Sequence, residues 1–292
     1  MRLNHLAGAL FFAACQAPQT PLATVSSVAP STRGVKVADW PSVDSALRVA
    51  EATSQPLDMG GVPHTVALEI RANPKFAAGT NQARFVKIIN CGAGLTSPDA
   101  RPILKMAPGV SGYFVGLEGC LLLSNGIGHR LVDFSRMHNA RFTDVWVFCG
   151  ANDTAYVGRG AAYFNTWDGG LIGCGVGIGA FSTGGESMGP NSNWVTHVRF
   201  AGVGRGLVIG PFVQAWSIRD NAFETSAATA LDLSGTRLMV GGNRFEGGPS
   251  GITLRAGSDG VIEYNYWSSI SGLRIRFDGA KPINWRIDAQ PR

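Results

Sequence analysis

The sequence repeats one short pattern, asparagine followed by any residue and then an aromatic residue, at Asn221-Ala222-Phe223, Asn243-Arg244-Phe245 and Asn265-Tyr266-Trp267. The asparagines recur twice with one constant period of about 22 residues, and so do the aromatic residues. A second apolar element follows each copy, at Ala230-Leu231-Asp232-Leu233, Gly251-Ile252-Thr253-Leu254 and Gly272-Leu273-Arg274-Ile275. Self-similarity at a period of this size is typical of solenoid proteins.

Each copy contains alternating apolar segments of three to five residues, separated by Gly, Ser, Asn and Asp turns. A βαβ unit does not fit in so few residues, because its crossover helix alone needs a dozen or more. Short strands and tight turns can instead form one rung of a coil, in which strands of successive rungs pair in parallel and apolar side chains fill the interior. Outward positions such as Asp232, Thr253 and Arg274 are then predicted to form a solvent-facing row.

These residues resemble the right-handed parallel β-helix proteins of the pectate lyase-like superfamily, where an asparagine ladder stacks side-chain amides from rung to rung. Val43, Ala46, Leu47 and Ala50 follow helical spacing, and Ser42 is placed to cap that helix. The segment 55–61 (QPLDMGG) resembles the entry into the first rung of phage tailspikes and related glycan-active β-helices. In those proteins a helix covers the apolar end of the coil. The resemblance covers about Trp40 to Gly279.

The predicted fold is therefore all-β: a single-stranded right-handed parallel β-helix with rungs of about 22 residues and a short N-terminal capping helix. The β-helix domain is predicted over 38–292. Residues 16–37 are rich in Pro, Ser, Thr, Ala and Gln without any period, which is typical of a flexible linker.

Residues 1–15 have the pattern of an export signal. Arg2 precedes a nine-residue apolar stretch, Leu6–Ala14, which is too short to span a bilayer. The stretch ends in Phe12-Ala13-Ala14-Cys15, which resembles the lipobox of bacterial lipoproteins, and that resemblance implies lipidation at Cys15 and an outer-membrane anchor. The alternative is an incidental N-terminal segment, as in a phage protein assembled in the cytoplasm.

The remaining cysteines are Cys91, Cys120, Cys149 and Cys174, with no CxxC pair. This spacing argues against a structural zinc site. It fits either a stacked row of core cysteines or two disulfides in an oxidising compartment.

Charge and composition exclude several classes of function. The chain is 15% charged and carries 25 basic against 20 acidic residues, with no lysine-rich arm, so we predict no nucleic-acid partner. An acidic polysaccharide or an anionic cell surface fits the basic excess equally well. No metal-ligand motif occurs and no cofactor is predicted.

Two carboxylates in the repeat are the candidate catalytic residues. Glu224 and Glu246 each follow the repeat aromatic, so they are predicted to be neighbours on adjacent rungs, about 4.8 Å apart. Retaining glycosidases hold their two carboxyl groups at about 5–5.5 Å. The same turns contribute one further candidate catalytic residue and four candidate substrate-binding residues: Asp220; Arg219, Arg244, Tyr264 and Trp267. The alternative is that the glutamates are solvated turn residues paired with Arg219 and Arg244, and that Trp267 fills the core.

The resemblance implies a secreted or surface-attached protein that binds a polysaccharide and cleaves it as a glycoside hydrolase or a lyase; a lyase would take Ca²⁺. The alternative is a non-catalytic adhesin or a tailspike-type receptor-binding protein of a virion tail, for which the resemblance implies a homotrimer. The sequence alone does not decide between these functions.

Overall fold

The computed structural model describes residues 34–73, 82–124, 128–184, 189–279 and 284–288. The predicted signal segment with Cys15, and the predicted linker up to residue 33, lie outside these ranges. The described chain begins with a strand, Val35–Lys36, which pairs with Leu57–Asp58. By residue number this strand falls at the end of the predicted linker, 16–37.

The chain winds through three faces in a fixed order, and every strand pair within them is parallel, which confirms the predicted parallel β-helix. We name these faces sheets A, B and C. Sheet A has 11 strands: Val35–Lys36, Leu57–Asp58, Lys87–Ile89, Gly116–Glu118, Arg141–Thr143, Thr166–Asp168, Trp194–Thr196, Ser217–Arg219, Leu238–Gly241, Gly260–Glu263 and Trp285–Ile287. Sheet B has nine: His64–Thr65, Leu95–Thr96, Leu121–Leu123, Trp146–Phe148, Leu171–Gly173, Arg199–Ala201, Ala222–Glu224, Arg244–Glu246 and Tyr266–Ser268.

Sheet C also has nine strands: Leu68–Ile70, Leu104–Met106, Arg130–Asp133, Thr154–Arg159, Val176–Phe181, Arg205–Ile209, Thr229–Leu233, Ser250–Arg255 and Leu273–Asp278. A fourth, three-stranded sheet lines the corner between sheets C and A in the early turns, with strands Gln82–Arg84, Ser111–Tyr113 and Met137–His138.

The length of a turn varies along the coil. Ile218 pairs with Val240 in sheet A, which is the predicted period of about 22 residues. The first turn is clearly longer, since Leu57 pairs with Ile88 in the same sheet. Over the whole coil a turn averages about 25 residues, because the early turns carry longer corners between sheets C and A. The pattern that is visible in the sequence is therefore that of the compact C-terminal turns.

The asparagine ladder lies at the corner between sheets A and B. Asn221, Asn243 and Asn265 are buried, and each amide nitrogen donates to a carbonyl one turn back, such as Asn243 Nδ2 to Ile218 O at 2.8 Å. Each side-chain oxygen of Asn243 and Asn265 accepts from the backbone N–H of the preceding ladder asparagine at 3.0 Å. The side chains thus satisfy backbone groups that a tight corner leaves unpaired. A second ladder, which the repeat pattern does not reveal, holds Asn165 and Asn193 at the corner between sheets C and A.

The repeat aromatics form a stack inside the coil. Phe200, Phe223, Phe245 and Trp267 follow one another with ring centroids 4.5–5.0 Å apart, and their planes lie within 13° of parallel. Each such pair contributes about 0.5–1.5 kcal/mol beyond the apolar area it buries. A Cβ on Gly251 would lie only 2.2 Å from the Trp267 ring, so the glycine that opens this copy of the second repeat element makes room for the aromatic stack.

The predicted helix is present as Val43–Thr53, after a short 3-10 helix at Val37–Asp39. Ser42 caps it as expected, since its side chain accepts from Ser45 N at 3.1 Å. The helix packs Ala46, Leu47 and Ala50 against the first turn, and Arg48 donates to Glu69 O at 2.8 Å. It therefore covers apolar groups at the beginning of the coil.

The four cysteines form two disulfides, Cys91–Cys120 and Cys149–Cys174, which decides between the two alternatives left by the sequence. Each bridge joins successive turns of the coil, since its Cα atoms are 4.4 and 4.7 Å apart respectively.

Candidate functional site

The predicted glutamate pair lies on the outer surface of sheet B. Glu224 and Glu246 are direct register partners on neighbouring strands, so the sequence placed them correctly on adjacent turns. Arg199 donates to Glu224 Oε2 from Nη2 at 2.7 Å and from Nε at 3.0 Å, and Arg244 Nη2 lies 2.7 Å from Glu246 Oε2. The hydrogen bond to Glu224 raises the pKa of the Arg199 guanidinium. Each glutamate is thus paired with its own arginine, an arrangement typical of ion pairs on a sheet surface.

The other predicted residues do not gather around this pair. Arg219 belongs to sheet A, where its Nη2 lies 2.7 Å from Glu263 Oε1, so it points away from the glutamates on sheet B. Asp220 follows it in the exposed corner, with a left-handed φ of 57°. The structure therefore places Arg219 on a different sheet from Glu224 and Glu246.

The two aromatic residues that were predicted to bind substrate also lie in different environments. Tyr264 is 70% exposed at the corner between sheets A and B. Trp267 is only 4% exposed and stacks on Phe245 inside the coil, so it cannot contact a ligand at the surface. Side chains alternate along a strand, and the exposed ring next to Trp267 is Tyr266, the register partner of Arg244.

A second polar site lies on the outer surface of sheet C, near the C-terminal turns. It is a cleft of about 420 Å³, which we name the sheet C cleft. Its lining residues are Arg205, Ala228, Thr229, Asp232, Pro249, Ser250, Thr253, Arg255, Leu273, Arg276 and Asp278. Three arginines and two aspartates leave one net positive charge.

An almost buried carboxylate organises the sheet C cleft. Asp232 accepts from Arg255 at both oxygens, from Nε at 2.6 Å and from Nη2 at 2.8 Å. Arg255 also pairs with Asp278, and Arg205 Nη1 lies 3.6 Å from Asp232 Oδ2. The hydrogen bonds to Asp232 raise the pKa of Arg255, so this guanidinium stays charged. A bidentate contact of this kind holds the guanidinium plane in one orientation.

Two arginines of the cleft are open to solvent, whereas its hydroxyl groups are buried. Arg276 is exposed and makes no ion pair among the described residues, and the side chain of Arg205 is about half exposed. The Ser250 hydroxyl is buried in the wall without a hydrogen-bond partner in the described part of the chain. Next to it, Thr253 and Thr229 hydroxyls lie 3.2 Å apart. The cleft therefore combines a fixed cation with two further guanidinium groups that a ligand can reach.

Register explains why the sequence missed this site. The solvent-facing row was predicted as Asp232, Thr253 and Arg274, but Thr253 pairs with Arg276 in the structure. Arg274 is exposed on the same strand but does not line the cleft. The sequence of the second repeat element does indicate these outward positions, because Asp232, Thr253 and Arg276 each stand between two inward apolar residues.

The residues that the structure describes contain neither a candidate metal site nor a candidate membrane-spanning helix. No group of three or more His, Cys, Asp or Glu side chains that could hold a metal ion occurs there. Over the same ranges, no helix is both long and apolar enough to cross a membrane.

Comparison with known proteins gives a likeness in structure only. No family model and no curated protein matches the chain. It is similar to ORF18 of Geobacillus virus E2, with 12% identity and a TM-score of 0.50 over 87% of this chain. It is also similar to tailspike protein 3 of Bacteriophage CBA120, with 13% identity and a TM-score of 0.37 over 88% of this chain.

The chain spans 61% of the length of each of these two structures. The TM-score of the tailspike match is too low to carry an argument. At 12% identity, the match to the Geobacillus virus protein bears on the fold alone. Together with the register of the three sheets, it identifies the chain as a parallel β-helix protein.

Proposed function

We propose that the protein is a glycan-binding β-helix, and that the sheet C cleft holds a segment of an acidic polysaccharide. The observation that carries this proposal is the arrangement in which Asp232 fixes Arg255 while Arg205 and Arg276 stay open to solvent. A guanidinium that is already oriented loses little conformational freedom when it binds a planar carboxylate or a pair of hydroxyl groups.

The chemistry of the cleft suits a sugar better than an apolar ligand. Its reachable polar groups are the guanidinium groups of Arg205 and Arg276 beside the Arg255–Asp278 ion pair, and sugar hydroxyls can pair with both donors and acceptors. The single net positive charge favours a glycan that carries carboxylate or phosphate groups. Because the cleft lies on strands of a coil, its geometry does not depend on a mobile loop.

Two locations are compatible with this proposal. A virion tail fits the virus origin that the name of the Geobacillus virus E2 structure gives. Export as a surface protein with a lipid anchor at Cys15 is the other, and the two disulfides suit an oxidising compartment. A homotrimer belongs to the virion proposal and is tested by light scattering of the full chain.

The proposal is tested by binding of the full chain to a panel of acidic and neutral bacterial polysaccharides. We expect Arg276→Ala to weaken binding of the best acidic ligand about tenfold, the effect of losing one charge-assisted contact. Arg274→Ala is the matched control, since this exposed arginine lies on the same strand outside the cleft. Equal affinities of both variants and the wild type would contradict the proposal.

Cleavage of the glycan is a second candidate function, carried by the register of Glu224 and Glu246. If they are the catalytic pair of a hydrolase, Glu224→Gln and Glu246→Gln should each lower the rate of release of reducing ends about a hundredfold while binding persists. Unsaturated uronate products would instead indicate a lyase. If wild-type protein binds glycans and releases no fragments, the binding function stands alone.

A further inference from the structure

A row of exposed phenylalanines occupies one corner of the coil, and the sequence repeat does not account for it. Phe85, Phe114 and Phe164 each lie two residues before a strand of sheet A, so they occupy the same position on different turns. Their φ angles are 59°, 59° and 61°, in the left-handed region. That conformation costs about 1–2 kcal/mol for a residue with a side chain.

The retention of these rings at the surface is costly in a second way. Phe114 is 46% exposed and Phe164 is 51% exposed, although the same corner position holds Asn139, Ser192 and Ala215 on other turns. Neither strain nor burial therefore selects phenylalanine here. The left-handed conformation itself is a regular feature of this corner, since Asn139, Ser192 and Ala215 adopt it as well.

The rings are oriented across the axis of the coil. Phe85 stacks on Phe114 with centroids 5.0 Å apart and planes only 2° from parallel, which is the spacing of one turn. Phe164 stacks on Trp194 of the following turn at 6.1 Å and 24°. Phe114 is thus covered on the side of the earlier turns and Phe164 on the side of the later turns. Their other faces point toward the turn between them.

That intermediate turn carries no ring in this row. Its residue at the same position is Asn139, half-buried, whose side chain makes no hydrogen bond among the described residues. In the adjacent row of the same corner the ring sequence is unbroken, because His138 stacks between Tyr113 and Tyr163 at 4.9 and 5.3 Å. The gap is therefore confined to the phenylalanine row, and we name it the Phe114–Phe164 slot.

The width of the slot matches one sugar ring. Two turns of a coil separate the rings by about 9–10 Å. Carbon atoms in contact pack at about 3.5–4.0 Å, so one contact on each side leaves room for a single puckered ring and not for two. The amide at the floor can both donate and accept a hydrogen bond, which suits ring hydroxyls. An aromatic or aliphatic protein side chain would cover that half-buried amide without pairing it, at a cost.

We propose that the Phe114–Phe164 slot binds one pyranose ring of a glycan, sandwiched between the two phenylalanines with Asn139 at its floor. Since both faces of the sugar contact an aromatic ring, the slot selects pyranoses whose hydroxyls are all equatorial, and it disfavours rings with an axial hydroxyl. This inference rests on the proposed glycan-binding function and adds a second subsite with its own stereochemical preference, on a different face from the sheet C cleft.

The test measures binding of the full chain to cellohexaose, whose rings have no axial hydroxyls, and to β-1,4-mannohexaose, whose rings have one each. We expect tighter binding of cellohexaose. Phe114→Ala and Phe164→Ala should each weaken it about tenfold, the loss of one stacking contact. Asn139→Phe should abolish it, because a third ring fills the slot, and should leave the circular dichroism spectrum unchanged.

Phe212→Ala is the matched control, because Phe212 is also exposed with a φ of 62° but lies elsewhere in its turn. We expect it to bind cellohexaose like the wild type. Undiminished binding by Asn139→Phe, equal affinities for the two sugars, or absence of cellohexaose binding by the wild type would each overturn the slot. So would the finding that Asn139→Phe instead breaks up an oligomer of the wild-type chain, which would assign the slot to a second copy.

The outcome is separable from the proposed function. If Arg276→Ala weakens binding of an acidic polysaccharide while the slot variants bind it and cellohexaose like the wild type, the slot is refuted and the sheet C cleft stands. If the slot variants lose cellohexaose binding while Arg276→Ala changes no affinity, the slot stands and the cleft is refuted.

Discussion

Removal of one rung from the asparagine ladder offers a quantitative test of the fold. Asn243 is fully buried, and its side chain accepts from Asn221 N at 3.0 Å and donates to Ile218 O at 2.8 Å. It also exchanges hydrogen bonds with the amides of Asn221 and Asn265. In Asn243→Ala, the backbone N–H of Asn221 and the carbonyl of Ile218 remain buried and lose these partners.

Each buried backbone group without a partner costs about 1–3 kcal/mol, so we expect Asn243→Ala to lower the free energy of unfolding by at least about 2 kcal/mol. For a domain of about 250 residues this lowers the Tm by at least about 4 °C. Asn265→Ala should cost the same, because it strands the Asn243 N–H and the Val240 carbonyl in an equally buried corner. Thermal unfolding followed by circular dichroism measures both.

Two further variants separate the effect of the lost ladder hydrogen bonds from the effect of the lost side-chain volume. Asn243→Asp keeps the shape but turns a carboxylate oxygen toward the Ile218 carbonyl, so it should destabilise the protein at least as much as alanine. Asn152→Ala is the control, since Asn152 is exposed in a turn and its side chain makes no hydrogen bond in the described part of the chain. A Tm of Asn243→Ala that equals that of Asn152→Ala would refute the buried ladder.

Burial lowers the pKa of His138 from 6.5. Below about pH 6.5 the unfolded chain therefore binds a proton at this residue that the folded chain does not bind, and the free energy of unfolding should fall as the pH drops. In His138→Phe the ring stack is kept and this part of the acid sensitivity should vanish from urea titrations at about pH 5 and pH 7; an unchanged pH dependence would assign it to other groups. Leu47→Ala should cost about 2–5 kcal/mol by leaving a cavity under the capping helix, measured by urea unfolding against the exposed Ala52→Ser as control. Replacing Cys149 and Cys174 together by Ala should lower the Tm, because the bridge between turns restricts the unfolded chain, and an unchanged Tm would show that no bridge forms in solution.

The sequence by itself determined the architecture, because the repeat makes the same structural demand at each of the compact C-terminal turns. Asn221, Asn243 and Asn265 each satisfy backbone groups of one corner, and the aromatic two residues later can only fill the interior of a coil whose strands are in register. The capping helix was predictable for a similar reason, since its apolar spacing and its Ser42 cap are local. Local and periodic constraints can therefore be recognised in the amino-acid sequence.

The position of the sites was decided by tertiary structure alone. The adjacency of Glu224 and Glu246 and the pairing with Arg244 followed from the repeat, but the Arg199 partner of Glu224 did not, because Arg199 comes from a turn outside the clear repeats. Arg276 replaced Arg274 in the sheet C cleft through the register of one strand, and Trp267 entered the core through the alternation of another. Since side chains alternate between the two faces of a strand, small differences in register decide which residues reach a site.

Of the sites described above, the Phe114–Phe164 slot was the hardest to predict from the sequence. Tyr113-Phe114, His138-Asn139 and Tyr163-Phe164 follow one another at a constant spacing of about 25 residues, so the row was present in the sequence. What the sequence could not give is the direction of these side chains, since a similar spacing of aromatics in Phe223 and Phe245 leads inward. A left-handed backbone at the corner turns the phenylalanines outward, and nothing in the spacing of the residues indicates that conformation.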